Sequence, residues 1–434
     1  MLLALGVLLL PRFAMAWSGA GHQVIAAEAY RELSPEFKAQ VIEVLKAHPD
    51  YRKWQSAYHA NASFDVFAYA FMRSSTWLND IRRTGNKYDH PNWHFIDYPL
   101  RPPGFGLEPG PKPEDDVLFG VAQCEKALSD TNADPELRAA SLSYLIHLVG
   151  DMHQPLHCAS LFTDAYPNGD RGGNDFYVMP GQGGVHSNLV WDYSVKSGPS
   201  LVAQRGVRLH SIWDGLLGTS ANPCMQWNYA TEIDAKYSRA SLPELATHRT
   251  PKEWSLESRE LAIEKAYLRG ELKGATDQAH APSLPADYTK QAKQVAEKQA
   301  ALAGYRLADE IKQYLKCAGA VPLLPANTFT AAQTPIPKKI GAAETRNYYD
   351  ETMVVAGKVV QVSVRPTITM LDIDKPYPNS PFTAVIFPEN VGEFGALQKL
   401  KNQSVEISGT ITEFRGKPEI ILESSNQVKM VGGN

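Results

Sequence analysis

The chain has 434 residues, with 43 Lys and Arg against 47 Asp and Glu, for a formal net charge of −4. At 44% hydrophobic and 21% charged it reads as an ordinary folded protein of two to three domains, which excludes a disordered or low-complexity chain. The near balance of charge excludes a global basic field, so a polyanionic partner must be held by local cations or bound metal.

Residues 1–16 read as a signal peptide. Leu2 to Leu10 is an apolar run too short to span a bilayer, and Ala14-Met15-Ala16 has the small-x-small pattern of a cleavage site, although the usual basic start is missing. Cleavage after Ala16 makes Trp17 the new N-terminus. No other segment reads as a membrane span, so the expected location is secreted or periplasmic.

Residues 17–316 read as mostly helical. Ser34-Pro35-Glu36 and Asp134-Pro135-Glu136 are helix starts, with a capping side chain followed by proline in the first turn. Patterned stretches continue near 226–246, 251–271 and 287–316, and Gly- and Pro-rich loops lie at 99–113 and 164–185. Residues 317–344, rich in Pro, Ala and Thr, read as a linker. From 345 to 434 the pattern turns to short β-branched runs: Met353 to Val362, Phe382 to Phe387, Val405 to Ile411 and Pro418 to Leu422. This last piece resembles an OB-fold, a small barrel that often binds oligonucleotides. The expected fold class is therefore mainly α, with a helical domain followed by a small all-β OB-like barrel. Four cysteines, Cys124, Cys158, Cys224 and Cys317, lack zinc-finger spacing and in an exported chain could form disulfides in three pairings.

The densest chemistry lies in His147-Leu148-Val149-Gly150-Asp151-Met152-His153-Gln154-Pro155-Leu156-His157. His147 and Asp151 are four apart and share one helix face. Pro155 breaks the helix and turns His157 back toward that face. The neighbours Leu145, Ile146, Leu148 and Val149 are apolar, so these polar groups are being buried, at a cost that a bound cation would offset. The chain supplies further ligands of the same kind. His22 follows Trp17, whose freed α-amine and carbonyl could chelate one ion. Asp80 lies in Trp77-Leu78-Asn79-Asp80-Ile81-Arg82-Arg83, His94 lies in Asn92-Trp93-His94-Phe95-Ile96-Asp97, and His210 and Asp214 repeat the His-x3-Asp spacing. A thiolate-free set of nitrogen and oxygen donors suits zinc in an open catalytic site.

Trp-x4-His after the cleavage site, Trp-x2-Asp, His-Phe-Ile-Asp, His-x3-Asp-x2-Gln-Pro-Leu-His, Gly-Gly-Asn and Leu-His-x2-Trp-Asp together resemble the zinc-dependent single-strand nucleases of fungi and plants, which share a helical fold with the bacterial zinc phospholipases C. The resemblance implies three zinc ions. One would be held by Asp80, His94, His147 and Asp151. A second would be held by the amine and carbonyl of Trp17, by His22 and by Asp151 as a bridge. The third would be held by His157, His210 and Asp214. It further implies support near the metals from Asn174, a phosphate contact from Arg83, and a base pocket in which Phe95 stacks and Asp97 hydrogen-bonds; Arg83, for transition-state support, and Asp151, for orienting the water, are the catalytic candidates. His153 reads as structural or supporting. The gap between Asn174 and His210 is longer than the family pattern, and inside it lies a decoy, His186 to Asp192, that lacks histidine four before aspartate.

Two cations bridged by a carboxylate can acidify a water for in-line attack on phosphorus, while a third binds a phosphate oxygen and the departing 3′-oxygen. The expected function is endonucleolytic hydrolysis of single-stranded DNA and RNA to 5′-phosphates, with 3′-nucleotides as further substrates and no membrane partner. A base already stacked in a duplex cannot use an aromatic pocket without unpairing, which favours single strands. The alternatives are a zinc phospholipase C and a non-catalytic nucleic-acid-binding protein. In the β piece, Tyr348, Tyr349, Phe382 and Phe414 are candidates for base stacking. Lys358, Arg365, Arg415 and Lys417 are candidates for phosphate contacts, through which the barrel would tether the strand.

Overall fold

A computed structural model describes residues 17–58, 64–101, 114–180, 189–192, 200–203, 205–219, 222–324, 338–349, 352–365, 368–386, 391, 394, 397–414, 417–422 and 425–431. The expected signal peptide, His186 of the decoy and Arg415 lie outside these residues. The chain divides into two units, 1–326 and 327–434.

The first unit is helical. Its centre is the helix Pro135–Met152, in which every residue from Ala139 to Met152 is buried. Asp134 caps it by accepting from the Leu137 amide, and Pro135 occupies its first turn, where no N–H is needed. A helix apolar on all sides is a core helix. It ends at Met152, and Pro155 opens a separate 3-10 turn, Pro155–His157. The helix Gly19–Glu32 packs against Tyr288–Tyr314, Pro223–Lys236 and Val66–Ser74. Its contact with the long helix is close: a Cβ on Gly304 would lie 2.4 Å from the Glu28 Cβ, so glycine is needed there. A capping box between Thr250 and Glu253 starts the helix Pro251–Leu261. No helix among the described residues is long and apolar enough to cross a membrane.

The second unit is an eight-stranded sheet. Its order runs Thr412–Phe414, Lys417–Leu422, Phe382–Ile386, Ile368–Ile373, Thr352–Arg365, Ser404–Thr410, Val428–Met430, with Lys339–Gly341 added beside Thr352–Arg365. Phe382–Ile386 and Lys417–Leu422 are parallel. Thr412–Phe414 continues Ser404–Thr410 across Ile411, so one stretch of chain pairs near both ends of the order and the sheet curls on itself. The interior holds Val355, Val359, Leu371, Ile373, Ile407 and Ile420, among others.

Three expectations need correction. Roughly half of the described residues are helical, so "mainly α" is not confirmed; the β unit accounts for the difference. The linker was expected to run to 344, but Lys339–Gly341 pairs in the sheet, and Ile340 and Ala342 are buried in its core. Phe382, a candidate base-stacking residue, is 1% exposed inside the β core and has no face to offer a base.

Candidate metal centre

The last turn of the helix Pro135–Met152 carries the first group of ligands. His147 Nε2 lies 3.3 Å from Asp151 Oδ2, as the four-residue spacing requires. His22, from the helix Gly19–Glu32, brings Nε2 to 3.3 Å from Asp151 Oδ1 and stacks its ring 3.8 Å from that of His147. His94, at the end of the 3-10 turn Pro91–His94, brings Nδ1 to 2.9 Å from Asp151 Oδ2. A second group follows the proline break. His157 Nε2 lies 3.2 Å from His210 Nε2, which lies 3.5 Å from Asp214 Oδ1. His157 also places Nδ1 3.8 Å from Asp151 Oδ1, so the two groups adjoin. Within each of the triplets His22–His147–Asp151 and His157–His210–Asp214, one ligand atom per residue lies within 4.8 Å of the others, and all six residues are buried.

Backbone carbonyls orient these rings. His147 Nδ1 lies 2.7 Å from the Ser75 carbonyl, His157 Nδ1 lies 2.7 Å from the His94 carbonyl, and His210 Nδ1 lies 2.6 Å from the Gly172 carbonyl. A carbonyl only accepts, so each Nδ1 carries the proton and each Nε2 presents a lone pair. Gly172 has a φ of +62°, and a Cβ there would lie 2.2 Å from the Leu156 carbonyl oxygen. The glycine thus lets the loop reach His210. Gln154, fully buried, donates from Nε2 to Asp214 Oδ1 at 2.8 Å and accepts from the Leu156 amide at 2.6 Å. It fixes the aspartate to the turn that carries His157.

The donors fit a cation. Both ring nitrogens of His22, Nε2 of His147 and Oδ1 of Asp151 are buried with no hydrogen-bond partner. Buried polar atoms of this kind are costly unless something binds them. Burial lowers His22 and His210 to about 3 and His94 to about 4, so their rings are neutral near pH 7. Burial opposes charge on Asp151 too, but the imidazoles aimed at it prevail and hold its carboxyl well below the usual range. Asp214 is pushed well up by burial, against the hydrogen bond from Gln154. Neutral imidazoles beside the ionised Asp151 in a buried hollow are what a divalent ion requires, and an ion bound with His157 and His210 would draw the proton from Asp214.

The other expected residues sit as follows. Trp17 is fully buried, its indole donates to the Gly150 carbonyl at 3.0 Å, and the Ser18 amide donates to the Asp214 carbonyl at 2.9 Å. The start of the helical unit is thereby laid across both groups. Asp80 is not brought into either group: its side chain is 44% exposed and pairs with Arg73 at 3.6 Å. Arg83, Phe95, Asp97 and Asn174 line one cleft of about 240 Å³ together with His94, His157 and His210. Asn174 donates to the Arg171 carbonyl at 2.9 Å and lies 3.2 Å from His210 Nδ1. His153 faces away, bridging the Val149 carbonyl and Arg306, which pairs with Glu257. All four cysteines are thiols, so the expected disulfide is absent; Cys158 packs in the core and donates to the Met152 carbonyl.

Sequence reasoning missed Arg82, Arg171 and Gln154. Arg82 lines the cleft and feels the charges of Asp151 and Asp214. It directly precedes Arg83, where the backbone turns to a φ of +63°, and that turn brings both arginines to the cleft. Gln154 was visible in the Gln-Pro-Leu-His motif, but its partner Asp214 was not.

Comparison with known proteins agrees with this centre. The family model described as S1/P1 Nuclease matches residues 17–316. Nuclease PA3 of Penicillium sp is 24% identical over 300 residues, covering 68% of this chain and 97% of that protein. Nuclease P1 of Penicillium citrinum is 25% identical over 200 residues, covering 45% of this chain and 64% of that protein, which is under two thirds of its length. With every ligand of both buried groups inside the matched span, the chain belongs to the S1/P1 nuclease family.

Proposed function

We propose that this protein is an exported, zinc-dependent nuclease that hydrolyses phosphodiester bonds of single-stranded DNA and RNA to 5′-phosphate products and also acts on 3′-nucleotides. The observation that carries the reading is the buried, partnerless set of imidazole and carboxylate atoms around Asp151, beside a second His–His–Asp group, in a chain of this family. Three zinc ions would be held by Asp80, His94, His147 and Asp151; by Trp17, His22 and Asp151; and by His157, His210 and Asp214. Asp80 must turn from Arg73 to take part. Bound zinc supplies Lewis-acid stabilisation of phosphate charge and a nucleophile available near neutral pH.

The chain's own residues do the rest. Phe95 gives a base a stacking face, and Asp97 can accept from its edge. Arg83 and Arg82 offer guanidinium groups to a phosphate in the same cleft. The carbonyls of Ser75, His94 and Gly172 keep the Nδ1 protons in place, so that each Nε2 stays available.

The β unit is read as an OB-like barrel that tethers the strand. In its support, Thr352–Arg365 pairs with both Ile368–Ile373 and Ser404–Thr410, and the third and last long strands are parallel. Tyr348, Tyr349, Lys358, Arg365 and Lys417 remain its candidate contacts.

The test is digestion of single- and double-stranded DNA and of RNA, with end-group analysis and metal content, with and without a chelator. About three zinc per chain, chelator-sensitive cleavage of single strands and 5′-phosphate ends are expected. Intact DNA beside hydrolysed phosphatidylcholine would overturn the reading in favour of a phospholipase.

A further inference from the structure

Behind the 3-10 turn Pro91–His94 lies a second groove, of about 410 Å³, with aromatic walls. His90 lies flat on Trp93, with ring centres 4.1 Å apart and planes at 15°. Tyr144 meets the same indole edge-on at 5.1 Å, and Phe119 does so at 6.0 Å. Phe119 is 44% exposed at the mouth, so its ring is offered to solvent and not to the core.

The groove neighbours the metal cleft along one turn of chain. Pro91, Asn92 and His94 line the cleft, while His90 and Trp93 line the groove, so one turn of chain serves both. A four-residue 3-10 turn advances only about 8 Å. A strand leaving the cleft over Pro91 and Asn92 therefore has the groove within about two nucleotides' reach. The charges there nearly cancel, since Lys126 and Asp130 both belong to the lining. Such a groove attracts ring faces far more than phosphates.

We propose that this groove is a second base-binding site, holding a nucleobase of the substrate strand against the exposed ring of Phe119, while the scissile phosphate lies at the metal centre. The proposal rests on the reading of the chain as a nuclease that acts on single strands. It commits to a base and not to a protein partner, because the groove adjoins the cleft and its exposed ring suits sequence-tolerant stacking.

Two substrates separate this proposal from the reading beneath it. Thymidine 3′-(4-nitrophenyl phosphate) is a phosphodiester with a single base, which fills the cleft alone; an oligothymidylate also reaches the groove. With metal-loaded protein, Phe119→Ala should raise KM for the oligothymidylate about tenfold and leave both constants for the single-base ester unchanged. Ala133→Trp, which fills the groove from its rim, should do the same. The increment should persist from low to physiological salt, since stacking and not charge supplies it. If both variants leave the oligothymidylate KM unchanged while the ester is still cut, the groove is not a base site and the nuclease reading stands. If wild type cuts neither substrate, the nuclease reading falls and takes this proposal with it. Variants that alter self-association in the absence of DNA, with unaltered KM, would mark a protein-docking face and overturn the proposal.

Discussion

Gly150 offers a test of the metal centre that removes no ligand. A methyl group at this position would lie 2.9 Å from His22 Nδ1, 3.2 Å from its Cε1 and 3.4 Å from Ile25 Cδ1. His22 cannot yield freely, being 1% exposed and stacked 3.8 Å from His147. The ring must shift by a few tenths of an ångström, and its Nε2 must leave its place 3.3 Å from Asp151. Overpacking of this size costs about 1–3 kcal/mol, and alanine returns about 1 kcal/mol as the better helix former. The net loss of stability for Gly150→Ala is therefore about 0–2 kcal/mol, small enough for the variant to fold. Displacing a ligand from its held orientation costs roughly 10–100-fold in metal affinity. Zinc titration by calorimetry, thermal melting of the metal-free protein and cleavage rates at limiting and excess zinc would measure each part. Activity should fall at limiting zinc and recover partly in excess. Gly120→Ala is the control, since its methyl would meet Leu148 and Trp93 at the same 2.9 Å but no ligand; it should lower stability and leave zinc affinity alone. A Gly150→Ala protein with wild-type zinc affinity and wild-type rate would refute the argument that His22 holds metal.

Asp151→Asn removes the charge that four imidazoles approach, so metal content should drop and activity should fall by about 100-fold or more; full metal loading at the normal rate would contradict this. Gln154→Leu unfastens Asp214 and leaves its carboxylate buried without a donor, so zinc affinity should weaken by roughly tenfold, as read by competition with a chelator. Burial, aided by the neighbouring Asp234 charge, pushes Glu28 up from 4.5 to about 8. Its folded pKa lies above its unfolded one, so the stability it contributes is complete below pH 4.5 and is lost as pH rises through about 8. Glu28→Gln should therefore flatten the fall in Tm between about pH 4.5 and 8, and an unaltered slope would show that Glu28 does not titrate there. A chain ending at residue 324 should cut the single-base ester normally but show a higher KM for long single-stranded DNA; an unchanged KM for the long strand would remove the proposed tether.

What could be read from the sequence was local. The four-residue spacing of His147 and Asp151 and the break at Pro155 depend only on helix geometry, and the structure has both. The caps at Asp134 and Ser34 were legible for the same reason. What was not legible depended on distant neighbours. Phe382 belongs to an alternating strand, and only the curl of the sheet decides that its face is inside. Asp80 follows Arg73 by seven residues across a helix break, and their pairing is a matter of how two short helices meet. The strand Ile368–Ile373 follows a proline and carries little alternation, so its place beside Thr352–Arg365 is set by pairing and not by pattern. The linker was read too long because Lys339–Gly341 is a three-residue strand, too short to show a period.

The amide of Ser18 is hydrogen-bonded to the carbonyl of Asp214, so the opening of the helical unit is fastened to the turn that carries its final donor. His22, His147 and Asp151 come together within the first 151 residues, whereas the second group waits for Asp214. The second group thus closes only when the chain as far as Asp214 has folded back onto its own beginning.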